Sequence, residues 1–288
     1  MPPGDWDEAI VIVSGDDRSR TRKGQPSMPR IPDSSPARSI APGCNVNDQN
    51  KTFGDTVRVA EARGSTAATL GVRPAEAALM IIDVTNFDAH PDHGFARFAR
   101  EEGIDLGYYW DRVENRMIPN LLRLLEAFRV ARGRIVHVRV GAQFDDYSDS
   151  QAHFREVHRR TGSLRGTEEF EVRDELLPRL GEAVIDKSGA SAFTTGNADV
   201  VLRNAGVEEL VVTGVVTNGC VIATAVTAWD LGYRVLVVED ACAAGDEEQH
   251  ASALHVMNAM GMTICSTHDL MARLGGRSRG LEATASPR

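Results

Sequence analysis

From residue 78 onward, short apolar runs alternate with stretches whose apolar residues recur at three- and four-residue spacing. The runs lie at 78–82 (ALMII), 135–138 (IVHV), 183–185 (AVI), 210–212 (LVV), 235–238 (VLVV) and 262–264 (MTI). Each is too short for a helix, and most are rich in β-branched residues, which favours strands buried on both faces. Between the first two, Asn120 stands where it can cap a helix with Leu121, Leu124, Leu125 and Phe128 on one face, halted near Gly133. Further helices are predicted over 199–204, from near Cys220, and over about 246–260. Alternation of this kind builds right-handed βαβ units. The predicted fold is therefore α/β: three α/β/α layers around a central six-stranded, mostly parallel sheet.

The ends of the chain break this pattern. Residues 1–70 include SRTRKGQPSMPRIPDSSPARSIAPG, rich in Pro, Ser, Arg and Gly and without hydrophobic period. Such a segment buries too little apolar surface to offset its ordering entropy, so a largely disordered arm is expected there. The run at 9–13 could form a strand but has no evident partner, and the arm could instead wrap a neighbouring subunit. Residues 71–275 form the expected domain, and 276–288 a short tail.

Composition narrows the function. A net charge of −9 over 288 residues argues against general nucleic-acid binding, which needs a basic footprint. The four cysteines, at 44, 220, 242 and 265, form no C-x-x-C pair, so neither a zinc site nor a redox dithiol is expected. No secretory signal is visible, and no apolar run approaches the roughly 20 residues of a membrane span. A soluble, cytoplasmic protein is expected, without nucleic-acid or membrane partners.

In open parallel sheets, ligands bind outside the carboxyl ends of the strands. Asp83, Lys187 and the turn before Cys220 each follow a predicted strand, so they can converge although far apart in sequence. A thiol at a strand-to-helix turn faces unpaired backbone N–H groups and the positive end of the helix dipole, which would lower its pKa. The same N–H groups could hold an oxyanion. Each residue also has a plainer reading: Cys220 as a small buried hydrophobe, Asp83 as a turn-former, Lys187 as a surface lysine at a strand end.

Three motifs occur in order: an aspartate ending the first strand (LMIIDVTNF), KSGASAF at 187–193 and GVVTNGC at 214–220. Together with TAWDLGYRVLVVEDACAA downstream, they resemble the isochorismatase-like cysteine hydrolases, over roughly residues 75–274. That group includes N-carbamoylsarcosine amidohydrolase, ureidoacrylate and biuret hydrolases, nicotinamidases and isochorismatase. The resemblance implies Cys220 as nucleophile, Asp83 as general base and acid, and Lys187 as their electrostatic support. It further implies a cis peptide between Val215 and Val216, and an oxyanion hole built from the N–H groups of Val216 and Cys220. Asn86, Phe87, Ser191, Phe193, Thr217 and Asn218 would contact a small amide or ureido substrate. A homodimer or homotetramer is implied as well, with no cofactor.

The departures from that pattern bear on the substrate. Members often read D-x-Q-N-D-F after the first strand, whereas this chain has Asp83, Val84, Thr85, Asn86, Phe87 and Asp88. The D-x-H metal motif of nicotinamidases is missing from residues 138–154. The cluster Asp88, His90, Asp92 and His93 has ligand-like composition but reads as a polar Pro-containing loop, so no metal is expected. Arg139, His137, Arg165, Glu169 and Tyr147, on or near the long segment 141–170, could reach a polar substrate, and each also reads as an ordinary surface or packing residue. Segments 88–110 and 141–170 are candidate pocket walls or lids. Cys242 and Cys265 read as structural. The expected activity is hydrolysis of a C–N amide or ureido bond through a thioester; vinyl-ether hydrolysis or an idle scaffold are the alternatives.

Overall fold

The computed structural model describes residues 72–275. The arm expected at 1–70 with its run at 9–13, Cys44 and the tail at 276–288 lie outside the described residues. In chain order the elements are β1 (Ala77–Ile82), α1 (Asn86–Ala89), α2 (Gly94–Glu101), α3 (Gly107–Arg112), α4 (Ile118–Val130), β2 (Arg134–Val140), α5 (Arg155–Thr161), β3 (Ala183–Lys187), α6 (Ala198–Asn204), β4 (Glu209–Val215), α7 (Ile222–Asp230), β5 (Arg234–Ala243), α8 (Glu247–Ala259), β6 (Thr263–Cys265) and α9 (Thr267–Gly275).

The strands form one sheet in the order β3-β2-β1-β4-β5-β6. Every neighbouring pair is parallel, so the sheet is wholly rather than mostly so. β1 shows why its sequence is uninterruptedly apolar. Leu79 and Ile81 enter one core, with Leu121, Leu124 and Phe128 of α4 and Leu270 of α9. Ala78, Met80 and Ile82 enter the other, with Leu202 of α6, Ala225 and Ala228 of α7, and Met257 of α8. A strand covered on both faces has no solvent side on which a polar residue would be stable.

Two helix starts behave differently. Asp246 caps α8 as its sequence implies, its side chain accepting from the Gln249 N–H. Asn120 does not cap α4: a wide turn over Val113–Met117 joins α3 to α4, and Pro119 occupies the first turn. The Asn120 amide instead donates to the Asp240 carbonyl at 2.9 Å, tying α4 to β5. Propensity placed the helix correctly, and a tertiary contact took its presumed cap.

The chain runs from β1 outward to β2 and β3, then returns to place β4 on the other side of β1. The order therefore reverses between β1 and β4, which opens a crevice at their carboxyl ends. There Ile82 is in register with Val138 on one side and Gly214 on the other, and Val140 with Lys187. Gly214 has φ +105°, and a Cβ on it would collide with the Ile82 backbone. Only glycine lets β4 lie this close to the strand end that carries Asp83.

This contact makes a paired prediction. Gly206, also left-handed at φ +72°, has nothing within 4 Å of an added Cβ. Gly206→Ala should cost about 1 kcal/mol from the backbone conformation alone, and Gly214→Ala about 3 kcal/mol or more because a backbone collision adds to it. Urea unfolding midpoints of the two variants measure the difference.

Candidate active site

Asp83 follows the last residue of β1 directly and takes the left-handed conformation, φ 55°. Its N–H donates to the Val138 carbonyl at 3.0 Å, which holds the turned backbone against β2. The side chain is almost fully buried, at 1% exposure. Lys187, the last residue of β3, is wholly buried despite its charge. Its Nζ lies 2.8 Å from Asp83 Oδ2, donates to the Gly189 carbonyl at 2.7 Å and reaches Cys220 Sγ at 3.3 Å. Three strand ends thus deliver a carboxylate, an ammonium and a thiol to one point.

The cysteine turn is less regular than a helix N-terminus. The Val215–Val216 peptide is cis, and residues Thr217–Val221 form a wide turn in which Gly219 is non-helical, with α7 starting only at Ile222. The Val216 carbonyl accepts from the Gly219 and Val221 N–H groups, and the intervening Cys220 N–H stands outside that pattern. Thr217 fixes the turn from below: its hydroxyl meets His250 Nδ1 at 2.8 Å. On the other ring nitrogen, Arg112 donates to Nε2 at 2.6 Å while also donating to the carbonyls of Cys242 and Glu239. Because a guanidinium can only donate, His250 accepts at Nε2, and its Nδ1–H donates to Thr217.

The electrostatics depart from the expectation of a thiol acidified by its turn. Burial, first, and the Asp83 charge push the Cys220 thiol up, against the pull of Lys187. Burial also pushes the Asp83 carboxyl above the usual carboxylate range, and the Lys187 charge opposes it. The Asp83 charge leans on the ammonium contact at 2.8 Å. Lys187 is held above the ordinary lysine range: burial opposes this, and the Asp83 and Cys220 charges outweigh it. The resting arrangement is an Asp83–Lys187 ion pair beside a protonated thiol.

A profile of the isochorismatase domain matches residues 77–269. The chain belongs to the isochorismatase family. A ureidoacrylate amidohydrolase from Rhizobium rhizogenes is 28% identical over 185 residues, covering 59% of this chain and 71% of that protein. The crystal structure of an isochorismatase family protein from Desulfovibrio vulgaris superposes with a TM-score of 0.59 at 30% identity, over 68% of this chain and 96% of that one. N-carbamoylsarcosine amidase from Thermoplasma acidophilum gives 0.52 at 26% identity, over 67% and 96%. This chain is an isochorismatase-family hydrolase with amidohydrolase relatives.

Within this family member, several side chains named from sequence are engaged with protein partners. Asn86 donates to the Glu168 carbonyl, and Asn218 to Gln249. Phe87 packs edge-on against His158, with ring centroids 5.3 Å apart. Ser191 bonds Thr227 and accepts from the Phe193 N–H, while Phe193 packs on Tyr233. Arg139 and Arg165 both clasp Asp186, and Arg139 also meets Glu171 and lies over the Phe170 ring. His137 pairs with Glu182, which Arg129 holds through two contacts. Glu169 accepts from the Gly94 N–H and from Arg97. Tyr147 takes φ 60° in its turn. Cys242 and Cys265 are buried free thiols. His90 and His93 pack edge to face, and among the described residues no group of three His, Cys, Asp or Glu could hold a metal.

Tyr109 and His158 carry no sequence motif, and Asp88 reads from sequence only as part of a polar loop. The Tyr109 hydroxyl donates to the Asp88 carbonyl at 2.7 Å, and burial, first, then the charges of Asp88, Asp83 and Cys220 push its pKa well up. His158 is buried, with its pKa lowered to about 4, first by burial and then by the Lys187 charge. Burial, first, and the Asp83 charge push the Asp88 carboxyl well above the usual carboxylate range, against the pull of Lys187. All three belong to the long connections, where no periodicity marks which side faces inward.

Removing the ammonium should expose the cost of this buried carboxylate. Without Lys187, nothing offsets burial, and the Asp83 carboxyl rises further above its unfolded value. A folded pKa above the unfolded one gives stability at low pH that is lost as pH rises between the two. Lys187→Met should therefore lose about 3–5 kcal/mol at pH 8 and clearly less at pH 5, measured by urea unfolding at both values.

Proposed function

We propose that the protein is a cysteine hydrolase of C–N amide or ureido bonds in a small molecule, with Cys220 as nucleophile, Asp83 as base and acid, and Lys187 as their electrostatic partner. The observation that carries this reading is the single ammonium placed 2.8 Å from the carboxylate and 3.3 Å from the sulfur. A thiol held protonated needs a base within reach, and the Asp83 carboxylate, its pKa raised by burial against the pull of Lys187, is placed to accept and return that proton.

In the proposed cycle Asp83 takes the thiol proton as sulfur attacks the substrate carbonyl. The N–H groups of Val216 and Cys220 hold the resulting oxyanion. Collapse breaks the C–N bond, and Asp83 returns its proton to the departing amine or ammonia. Asp83 then deprotonates a water, which attacks the thioester. The thiolate departs and recovers the proton, releasing the acid. Lys187 keeps the charge of the centre near neutral whenever sulfur or carboxylate carries the negative charge. The amidohydrolase names of the relatives support the C–N bond as the target.

Ammonia release from a panel of ureides, carbamoylated amines and primary amides tests this. Cys220→Ala and Asp83→Asn should each lower kcat/KM by at least about 1,000-fold. Because Asp83 must be ionised to act and its carboxyl is raised, kcat/KM should fall with falling pH along a limb lying above the ordinary carboxylate value of about 3.9. A Cys220→Ala protein with an undiminished rate would overturn the assignment.

A further inference from the structure

Arg112, the last residue of α3, is buried and spends its donors mainly on backbone and on an imidazole. Its Nε donates to the Cys242 carbonyl and its Nη2 to the Glu239 carbonyl, both at 2.9 Å. Nη2 also meets His250 Nε2 at 2.6 Å. The Glu239 carboxylate is the weaker partner, 3.4 Å from Nη2 and 4.0 Å from His250 Nε2, and Arg116 holds it at 3.0 and 3.1 Å.

This anchor lies next to the cysteine turn. Cys242 of β5 is in register with Gly214 of β4, and Ala243 with Val215. Arg112 thus grips β5 beside the strand end from which the turn leaves. His250 of α8 reaches into the turn itself, Nδ1 to Thr217 Oγ1 at 2.8 Å. Thr217 has no exposed surface and His250 is only 5% exposed, so water cannot replace this bond. The exposed tie of the same turn, Asn218 to Gln249 at 2.8 Å, competes with solvent and holds it less firmly.

Charge fixes the direction of the buried bond. A guanidinium has no acceptor, so His250 Nε2 presents its lone pair to Arg112, the ring is neutral, and the proton sits on Nδ1. Thr217 is therefore held as an acceptor. A protonated imidazole would set two donors face to face at 2.6 Å.

We infer that Arg112 and His250 are positioning residues of the reaction: through the Thr217 hydroxyl they set the turn at 216–220, and with it the N–H groups of Val216 and Cys220 that receive the oxyanion. This rests on the proposed hydrolase reading. Such donors act only where the oxyanion forms, and a misplacement on the order of 1 Å can cost about 100-fold in rate.

Two reagents that differ in geometry test this at Cys220 without a known substrate. Iodoacetamide is attacked at a saturated carbon and loses iodide, and no oxyanion forms. 4-Nitrophenyl acetate is attacked at its carbonyl, so an oxyanion precedes departure of nitrophenolate and an acetyl thioester remains. Both rates are measured on the full chain, by mass spectrometry of the Cys220 peptide and by nitrophenolate release, with Cys220→Ala as the blank. Thr217→Val, nearly isosteric but without an acceptor, should lower the acylation-to-alkylation ratio at least about ten-fold. Thr217→Ser keeps the hydroxyl and should stay within about three-fold of the natural protein. Nitrogen-15 NMR should find the His250 proton on Nδ1, and Arg112→Gln, whose amide can give or accept, should release that tautomer and lower the ratio too. Should Arg112→Gln not fold, the Thr217 pair and the tautomer still decide. A ratio unchanged in Thr217→Val, even with a lower urea midpoint, marks a merely structural contact and overturns the inference, as does a proton found on Nε2. A natural protein alkylated but never acylated at Cys220 would strike the hydrolase reading itself, and the inference with it.

Discussion

The site is organised around one ammonium that has left water altogether. Lys187 is buried, and three groups replace its hydration: the Asp83 carboxylate, the Gly189 carbonyl and the Cys220 sulfur. A buried charge is tolerated only when paired and hydrogen-bonded, and the same holds for the carboxylate facing it. Neither member of the pair is stable there without the other. The positions of the ends of β1 and β3 are therefore coupled through a contact that crosses β2 entirely.

This pairing also sets the state of the thiol. Read locally, the turn before α7 implies a sulfur acidified by backbone N–H groups. The assembled site adds a carboxylate from β1 and removes water, and both favour the protonated form. The chemistry that follows is one of proton exchange between Asp83 and Cys220, with Lys187 neutralising whichever partner is anionic. A preformed thiolate would instead have required the carboxylate to lie further off.

Much of this was legible in the sequence for a geometric reason. A parallel α/β sheet brings the carboxyl ends of its strands to one edge, so Asp83, Lys187 and the Cys220 turn could be grouped from apolar runs alone. Motif order sharpened that grouping. What stayed hidden depends on side-chain packing in the long connections. Tyr109, His158 and Asp88 approach the centre from α3, α5 and α1, whose inward faces carry no periodic signature. The Arg112–His250–Thr217 chain joins α3, α8 and the cysteine turn, residues far apart in sequence. Asn120 illustrates the converse, a correct local signal whose side chain was claimed by β5.

The short segment around Glu169 has a mechanical consequence. Glu168 and Glu171 offer their carbonyls to Asn86, Glu169 holds the start of α2 and Arg97, and Val172 bridges Thr85. The connection after β1 and the connection after β2 are thereby stitched into a single wall. Lengthening or shortening either one would displace the other, so the pocket can be reshaped only by matched changes in two stretches of chain some 80 residues apart.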